Sequence, residues 1–342
     1  MEQMKKKLAE YMKEHLPDYL PQTEKYRIRI EEILKENDVK RTAVIVSEKG
    51  EMEHVSACLF LESFLEEYEY PVYRDLEQIA GDRETCQKIC REMASVYIAN
   101  RMTRSDFDFA KASQINSFPY VKPALRAGIC DPDRNREMLK TLVSDRMGDF
   151  AQYYYLADFL LKDTMLKVTN RMLEGWKVSK EELREAAMEN MKQEMQLVPM
   201  EEFMEGACTK DELEKNRERG MYVLTNQKGC YGAGMILHPD IQKLVSDKME
   251  GDYYVLPSSI HEVLIVSDNP ETDLDDLTAE VKMANERVGE EDLLSYQVQH
   301  YSALAQTLEN ACQYQKKVKA DPQKYGKEQE KTAKQRTGMV RG

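Results

Sequence analysis

The stretch from Met221 to Asn269, MYVLTNQKGCYGAGMILHPDIQKLVSDKMEGDYYVLPSSIHEVLIVSDN, constrains the fold more than any other part of the chain. Tyr222 to Thr225 is rich in strand formers. Asn226-Gln-Lys-Gly229 is turn chemistry, because Asn and Gly tolerate positive φ. Met235 to Leu237 resumes an apolar run, so the two runs predict a β-hairpin. Pro239 stands at a first helical position, and Ile241, Leu244, Val245 and Met249 follow at helical spacing until Gly251 stops the helix. Tyr253 to Leu256 reads as a second strand, Pro257-Ser258-Ser259 as a turn or bulge, and His261 to Val266 as a third strand. Thr272 opens another helix, with Asp275 at its third position as a loose capping box. Hairpins alternating with helices favour an antiparallel sheet with helices packed on it.

The same alternation recurs along the chain. Glu2 to Leu16 is an amphipathic helix closed by Pro17 and Pro21. Tyr26 to Leu34 and Thr42 to Val46 form a hairpin turning at Asn37-Asp38, and a helix follows from about Val55 to Tyr68. Asp75 to Ile98 reads as one longer helix. The pattern is lost from Asn100 to Asn116, which marks a connection between lobes. Tyr120 to Ile129 is ambiguous, because Pro123 demotes a central strand and could equally open a helix. Asn135 to Val143 is a short helix. Asp149 to Leu161 pairs with Met165 to Leu173 around Lys162-Asp163. Ser179 with Glu182 is a full capping box. Lys192 to Gly220, rich in Met and Glu, reads as a connector, and one helix is expected from after Leu293 to about Ala320. The fold class is therefore α+β: repeated hairpin-plus-helix blocks, a mainly antiparallel sheet with helices on it, a helical N-terminus and a helical C-terminal extension. The expected division is an N-terminal lobe over 1–112, a C-terminal lobe over 113–300, and an extension over 301–342 that ends in a charged, disordered tail.

A chain of 342 residues buries about three quarters of its unfolded surface and needs no metal or disulfide to fold. No apolar run approaches the roughly 18 residues of a membrane helix. The lysine-bearing N-terminus has no apolar core of the kind a signal peptide needs. A cytoplasmic location is expected. The seven cysteines are scattered, with no CxxC. Cys86 and Cys90 fall on the helical pattern of Ile79, Ile89 and Met93, as a reduced buried pair would. The net charge of −13 argues against nucleic-acid binding by the folded body. The exception is the tail from Lys316, where nine Lys or Arg face three acids.

Several chemistries fail on spacing. His261-Glu262 lacks the second histidine of HExxH, since the fifth position is Ile265, and adjacent strand residues point to opposite faces. His15, His54, His238 and His300 are not in ligand spacing with His261, so no metal site is expected. Ser259 and His261 share a strand face, which permits a nucleophile and base, but no GxSxG elbow is present. Gly229-Cys-Tyr-Gly232-Ala-Gly234 lacks the GK[ST] of a P-loop and precedes an apolar run instead of opening a dinucleotide-binding helix. Its glycines suit a tight turn and close backbone approach. Asp131-Pro-Asp-Arg-Asn135 opens like a calcium loop but has Arg136 where Gly is needed and Leu142 where Glu is needed. No cofactor is expected.

A resemblance is carried by Tyr222-Val-Leu-Thr-Asn226, Gly232-Ala233 and Leu256-Pro-Ser-Ser-Ile-His-Glu-Val-Leu264. Further matches are Leu16-Pro17, Lys35-Glu-Asn37, Leu61-Glu-Ser-Phe64, Asp133-Arg-Asn135, Gly148-Asp149-Phe150, Trp176 and Ser179-Lys-Glu-Glu-Leu183. Over roughly residues 1 to 300 the chain resembles a family of gut Firmicutes catalogued as domain of unknown function 5688. The resemblance implies a bacterial origin and no particular activity. The chain departs from it at Leu294 to Tyr301 and in the basic extension.

These readings converge on a candidate functional patch of Asn226, Ser258, Ser259, His261 and Glu262, with no catalytic residue assigned. The expected function is a cytoplasmic, non-enzymatic module that binds a protein partner or a small ligand. The alternative is a hydrolase or transferase using Ser259 or Cys230 with His261.

Overall fold

The structure, a computed structural model, describes residues 2–50, 56–69, 76–101, 109–204, 219–321 and 325. The chain divides into two units. Unit 1 is residues 1–35 and 39–109, and unit 2 is residues 36–38 and 110–342.

Unit 1 begins with the helix Glu2–His15, followed by a 3₁₀ turn over Leu16–Tyr19 that carries Pro17. Strands β1 (Tyr26–Leu34), β2 (Lys40–Glu48) and β3 (Ser56–Phe60) form an antiparallel sheet in that order. The alternation at Tyr26 and Ile28 puts both on the buried face, with Val44, Val46 and Leu59 beside them. The helix expected from Val55 starts instead at Leu61 and runs to Glu69, because Ser56–Phe60 pairs with β2 as an edge strand. Val55 itself lies outside the described residues. The long helix expected over Asp75 to Ile98 is two, Leu76–Gly81 and Arg83–Ala99. Asp82 causes the break: its carboxylate accepts the amides of Glu84 and Thr85, an N-cap that starts the second helix afresh. Cys86 and Cys90 are buried and free on that helix, and the Cys90 thiol lies 3.2 Å from the Met12 sulfur. Burial pushes the Cys90 thiol up to about 12, so it is inert at neutral pH.

Among the described residues, unit 2 holds two antiparallel sheets. In the four-stranded one, β6 (Phe150–Ala157) pairs with β4 (Leu125–Cys130) on one side and with β5 (Ser144–Met147) and β7 (Met165–Lys167) on the other. The ambiguous Tyr120 to Ile129 thus resolves into helical turns up to Ala124 and then β4. The helix expected over Asn135 to Val143 spans Arg136–Thr141. The Ser179–Glu182 box opens the helix Lys180–Lys192 with both reciprocal bonds present.

The six-stranded sheet has the order β13-β12-β10-β11-β9-β8. Its strands are β8 (Met195–Pro199), β9 (Tyr222–Asn226), β10 (Tyr253–Leu256), β11 (Val263–Ser267), β12 (Gln299–Ser302) and β13 (Thr307–Asn310). Three expectations are corrected here. Met195–Pro199, read as connector, is an edge strand on β9, where a proline is tolerated. Met235–Leu237 is no hairpin partner of β9; it belongs to a 3₁₀ segment, Gly232–Leu237, buried throughout. A short apolar run buried on every side has no period to separate strand from helix. After Leu293 the chain makes the β12–β13 hairpin, and the helix Ala311–Ala320 begins only after it. The tail expected to be disordered lies almost wholly outside the described residues.

One face of this sheet, with Tyr253, Val255, Val263 and Ile265, shares a core with the four-stranded sheet, the 232–237 segment and the helix Pro239–Met249. The other face, with Tyr254, Leu256, Val266 and Val298, packs on the helix Leu274–Asn285 and on Ala311. That helix is capped by Asp273, whose side chain accepts the amides of Asp275 and Asp276, and not by Thr272, whose hydroxyl donates to the Ser267 carbonyl. Glu250 takes the left-handed position that ends Pro239–Met249, with Gly251 following at φ +147. Among the described residues no helix is long and apolar enough to cross a membrane.

Candidate functional site

Asn226 ends β9, and its side chain templates the loop that follows. Its Oδ1 accepts the amides of Lys228 and Cys230 at 3.1 and 3.3 Å, and its Nδ2 donates to the Cys230 carbonyl at 2.7 Å. The loop delivers Tyr231 in the left-handed region, φ +55. Gly232 comes next because nothing larger fits: a Cβ there would lie 2.3 Å from the Thr225 hydroxyl, 2.6 Å from the Asn226 nitrogen and 2.8 Å from the His261 carbonyl. At Gly234 a Cβ would lie 2.5 Å from the Ala127 carbonyl of β4. The glycines thus serve backbone approach between β9, β4 and the His261 segment.

The Pro257–Glu262 segment is held as an irregular arm beside residues 292–295. The Ile260 amide donates to the Asp292 carbonyl, Leu294 to Ser258, and Ser295 to Pro257. Ser259 bridges Leu293 in antiparallel fashion. The arm is not a strand, so the shared strand face of Ser259 and His261 does not exist. The Ser259 hydroxyl instead accepts the His261 amide at 2.9 Å, a local turn bond. The Ser258 hydroxyl donates to Asn285 Oδ1 at 2.8 Å, and Asn285 in turn donates to the Ser295 carbonyl.

Both nitrogens of the half-buried His261 ring are engaged. Nδ1 accepts the Tyr231 amide at 3.1 Å, and Nε2 faces Asp292 Oδ1 at 3.2 Å. A backbone N–H can only donate, so Nδ1 presents its lone pair and the neutral ring carries its proton on Nε2, directed at the carboxylate. The His261 carbonyl accepts from Thr225 Oγ1 at 2.8 Å. The Tyr231 ring stands edge-on to His261 at 5.3 Å and packs near Tyr155 at 5.8 Å. Burial pushes the Glu262 carboxyl up, with His261 and a hydrogen bond from Ser259 pulling it part of the way back.

Sequence reasoning missed the residues that anchor this node from a distance. Glu36, Asn37 and Asp38 belong to unit 2. Asn37 Nδ2 donates to the carbonyls of Glu290 and Leu293, at 2.7 Å each, and so braces the loop carrying Asp292. Its amide and Oδ1 pair with the fully buried Asn135. Asp38 accepts the amides of Glu137 and Met138, capping Arg136–Thr141. Glu36 is ion-paired to Lys167 at 2.8 Å and is 3.4 Å from the Tyr231 hydroxyl. The only forewarning was the co-occurrence of Lys35-Glu-Asn37, Asp133-Arg-Asn135 and Leu256–Leu264 in one resemblance. The Asp131 carboxylate accepts the amides of Asp133 and Arg134, so the calcium-like opening is a turn.

Two further features lie away from the patch. Contrary to the expectation from spacing, three metal-ligating side chains do converge: Asp252, Asp268 and His300 bring donor atoms within 4.8 Å of one another. In unit 1 a groove of about 740 Å³ opens between the start of the first helix and the turn end of β1 and β2, lined by Lys5, Lys6, Lys40, Arg41, Thr42 and Glu62 among others.

Compared with known proteins, residues 1–303 match the family described as "Family of unknown function (DUF5688)", and the chain belongs to it. No curated protein and no solved structure matches the chain.

Proposed function

Taking membership in that family as the premise, we propose that the protein is a non-enzymatic, cytoplasmic binding module that takes a small anionic ligand in the groove of unit 1. The observation that carries the non-enzymatic reading is His261. With Nδ1 on a backbone amide and Nε2 on Asp292, no lone pair remains to take a proton from a nucleophile. Ser259 and Ser258 spend their hydroxyls on the turn and on Asn285. The patch therefore serves the fold, and the alternative of a hydrolase or transferase using Ser259 or Cys230 with His261 has less support.

The groove favours an anion. Four cationic side chains line it against Glu31, Glu32 and Glu62. Glu62 is buried, and its carboxylate accepts the Thr42 amide through both oxygens, at 3.1 and 3.0 Å, while also meeting Lys5. Its charge is thus consumed inside the fold. Lys6 and Arg41, the latter also 4.0 Å from Glu66, line the groove where a carboxylate or phosphate would meet them. The folded body has no phosphate-neutralising excess for nucleic acid, and the basic tail from Lys316 stands apart from it.

The test is calorimetric titration of the full chain with a panel of di- and tricarboxylates and phosphate monoesters. A bound member of the panel should lose at least about tenfold in affinity in Lys6→Glu and Arg41→Glu, with circular dichroism unchanged. Equal binding by the variants, or ester or phosphate turnover that disappears in His261→Ala, would overturn the proposal.

A further inference from the structure

We propose that Asp252, Asp268 and His300 hold one divalent transition-metal ion of the zinc or manganese class. The convergence follows from strand register. Tyr253 pairs with Ser267 across β10 and β11, which sets Asp252 and Asp268 opposite each other at the sheet's end, and their backbones are joined by the Asp268 amide donating to Asp252. Tyr254 pairs with His300 on β12. With a side-chain period of two, Asp252 and Tyr254 share a face, so all three ligands emerge on the same side of the sheet.

His300 is fully buried, and its Nε2 lies 3.1 Å from Asp268 Oδ2 and 3.9 Å from Asp252 Oδ2. Donors at about 2.0–2.2 Å from a tetrahedral zinc stand roughly 3.4 Å apart, so both His300 distances lie within about 0.5 Å of that spacing, and all three donors are within 4.8 Å of one another. Two of the ligands, His300 and Asp252, are held in place from behind. The His300 ring is stacked on Tyr314 at 3.7 Å and edge-on to Tyr254 at 5.1 Å, and Asp252 Oδ1 accepts the Ala303 amide at 2.9 Å. Such outer contacts are what orient metal ligands. Asp268 keeps 17% of its side chain exposed, which leaves a route for water to complete the coordination.

The competing account is a plain hydrogen bond, in which a neutral ring donates its Nε2 proton to Asp268 and Nδ1, which has no hydrogen-bond partner, is left as an acceptor. A metal on Nε2 would instead place the ring proton on Nδ1, so the two accounts differ in which ring nitrogen is protonated. A single hydrogen bond does not account for the second carboxylate, Asp252, converging on the same Nε2 at 3.9 Å. Two carboxylates and one imidazole form a hard-to-borderline set, which suits Mn²⁺ and Zn²⁺ and disfavours soft ions. The ion would tie the ends of β10, β11 and β12 together, so its binding energy is folding energy.

The experiment uses the full chain stripped with chelator and titrated with Co²⁺, Zn²⁺ and Mn²⁺. The expected result is one equivalent bound, visible Co²⁺ ligand-field bands displaced by Zn²⁺, and a raised Tm that chelator reverses. Asp268→Asn should bind at least about tenfold more weakly. Independently of any variant, the ring ¹⁵N resonances of His300 should shift on Zn²⁺ addition while those of His261 do not. An unchanged Tm and no Co²⁺ bands, or binding that leaves the His300 resonances in place, would overturn the proposal in favour of the plain His300–Asp268 hydrogen bond or of an adventitious surface ion. None of these readouts depends on ligand binding in unit 1, so the two proposals fail separately.

Discussion

At Glu262 a half-buried carboxylate sits beside Ser259 and His261, and its protonation should be visible in stability. Burial raises its folded pKa above the usual 4.5. The folded state then binds the proton more readily than the unfolded state, so stability falls as pH rises from about 4.5 through the folded pKa. Glu262→Gln should therefore stabilise the protein at pH 7, by up to about 1 kcal/mol, and the gain should vanish below pH 4.5. Urea denaturation of the two proteins at pH 7 and pH 4 checks this; a destabilised variant at pH 7 would show the charge to be favourable where it sits. Of the five residues singled out from sequence, Ser259, His261 and Glu262 meet at the Ser259 hydroxyl, while Ser258 turns to Asn285 and Asn226 to its own loop, and these roles were not legible. His261 looked like a base because adjacency in sequence says nothing about the Tyr231 amide thirty residues earlier in the chain that takes its Nδ1.

The helix Pro239–Met249 shows how an element can depend on one ring. Its N-cap is His238, a residue rarely used there, whose Nδ1 accepts the Asp240 amide at 3.1 Å. Burial holds the His238 pKa below the usual 6.5, with Asp240 opposing. A depressed histidine contributes stability that is complete above pH 6.5 and is lost as pH falls through the folded pKa, where protonation also removes the cap acceptor. Asn is a better N-cap and does not titrate. His238→Asn should match the parent at pH 7.5 and exceed it by about 1 kcal/mol at pH 5. A pH-independent difference would refute the cap account.

Which elements were readable follows the same physics. Ser179 with Glu182, Pro239, β10 and β11 carry local chemistry and were readable. β8, the β12–β13 hairpin and the Gly232–Leu237 segment were not, because their pairing partner or full enclosure is supplied by remote chain. The Asp252, Asp268 and His300 cluster was hidden for that reason too: it exists only through the register of three strands.

At the scale of the molecule, the densest motifs of the sequence meet in unit 2 and are spent there on tying two sheets, the 232–237 segment and the Glu36–Asp38 turn to one another. The central claim is that this node is a brace and that binding happens elsewhere. Residues placed for catalysis are commonly neutral or costly to stability, so replacing them rarely unfolds a protein; a brace behaves oppositely. The direct measurement is the unfolding free energy of His261→Ala from equilibrium urea denaturation. The account predicts a loss of about 2 kcal/mol or more, from two hydrogen bonds and a half-buried ring contact removed together. A variant as stable as the parent, or more so, would contradict it and return His261 to the list of active residues.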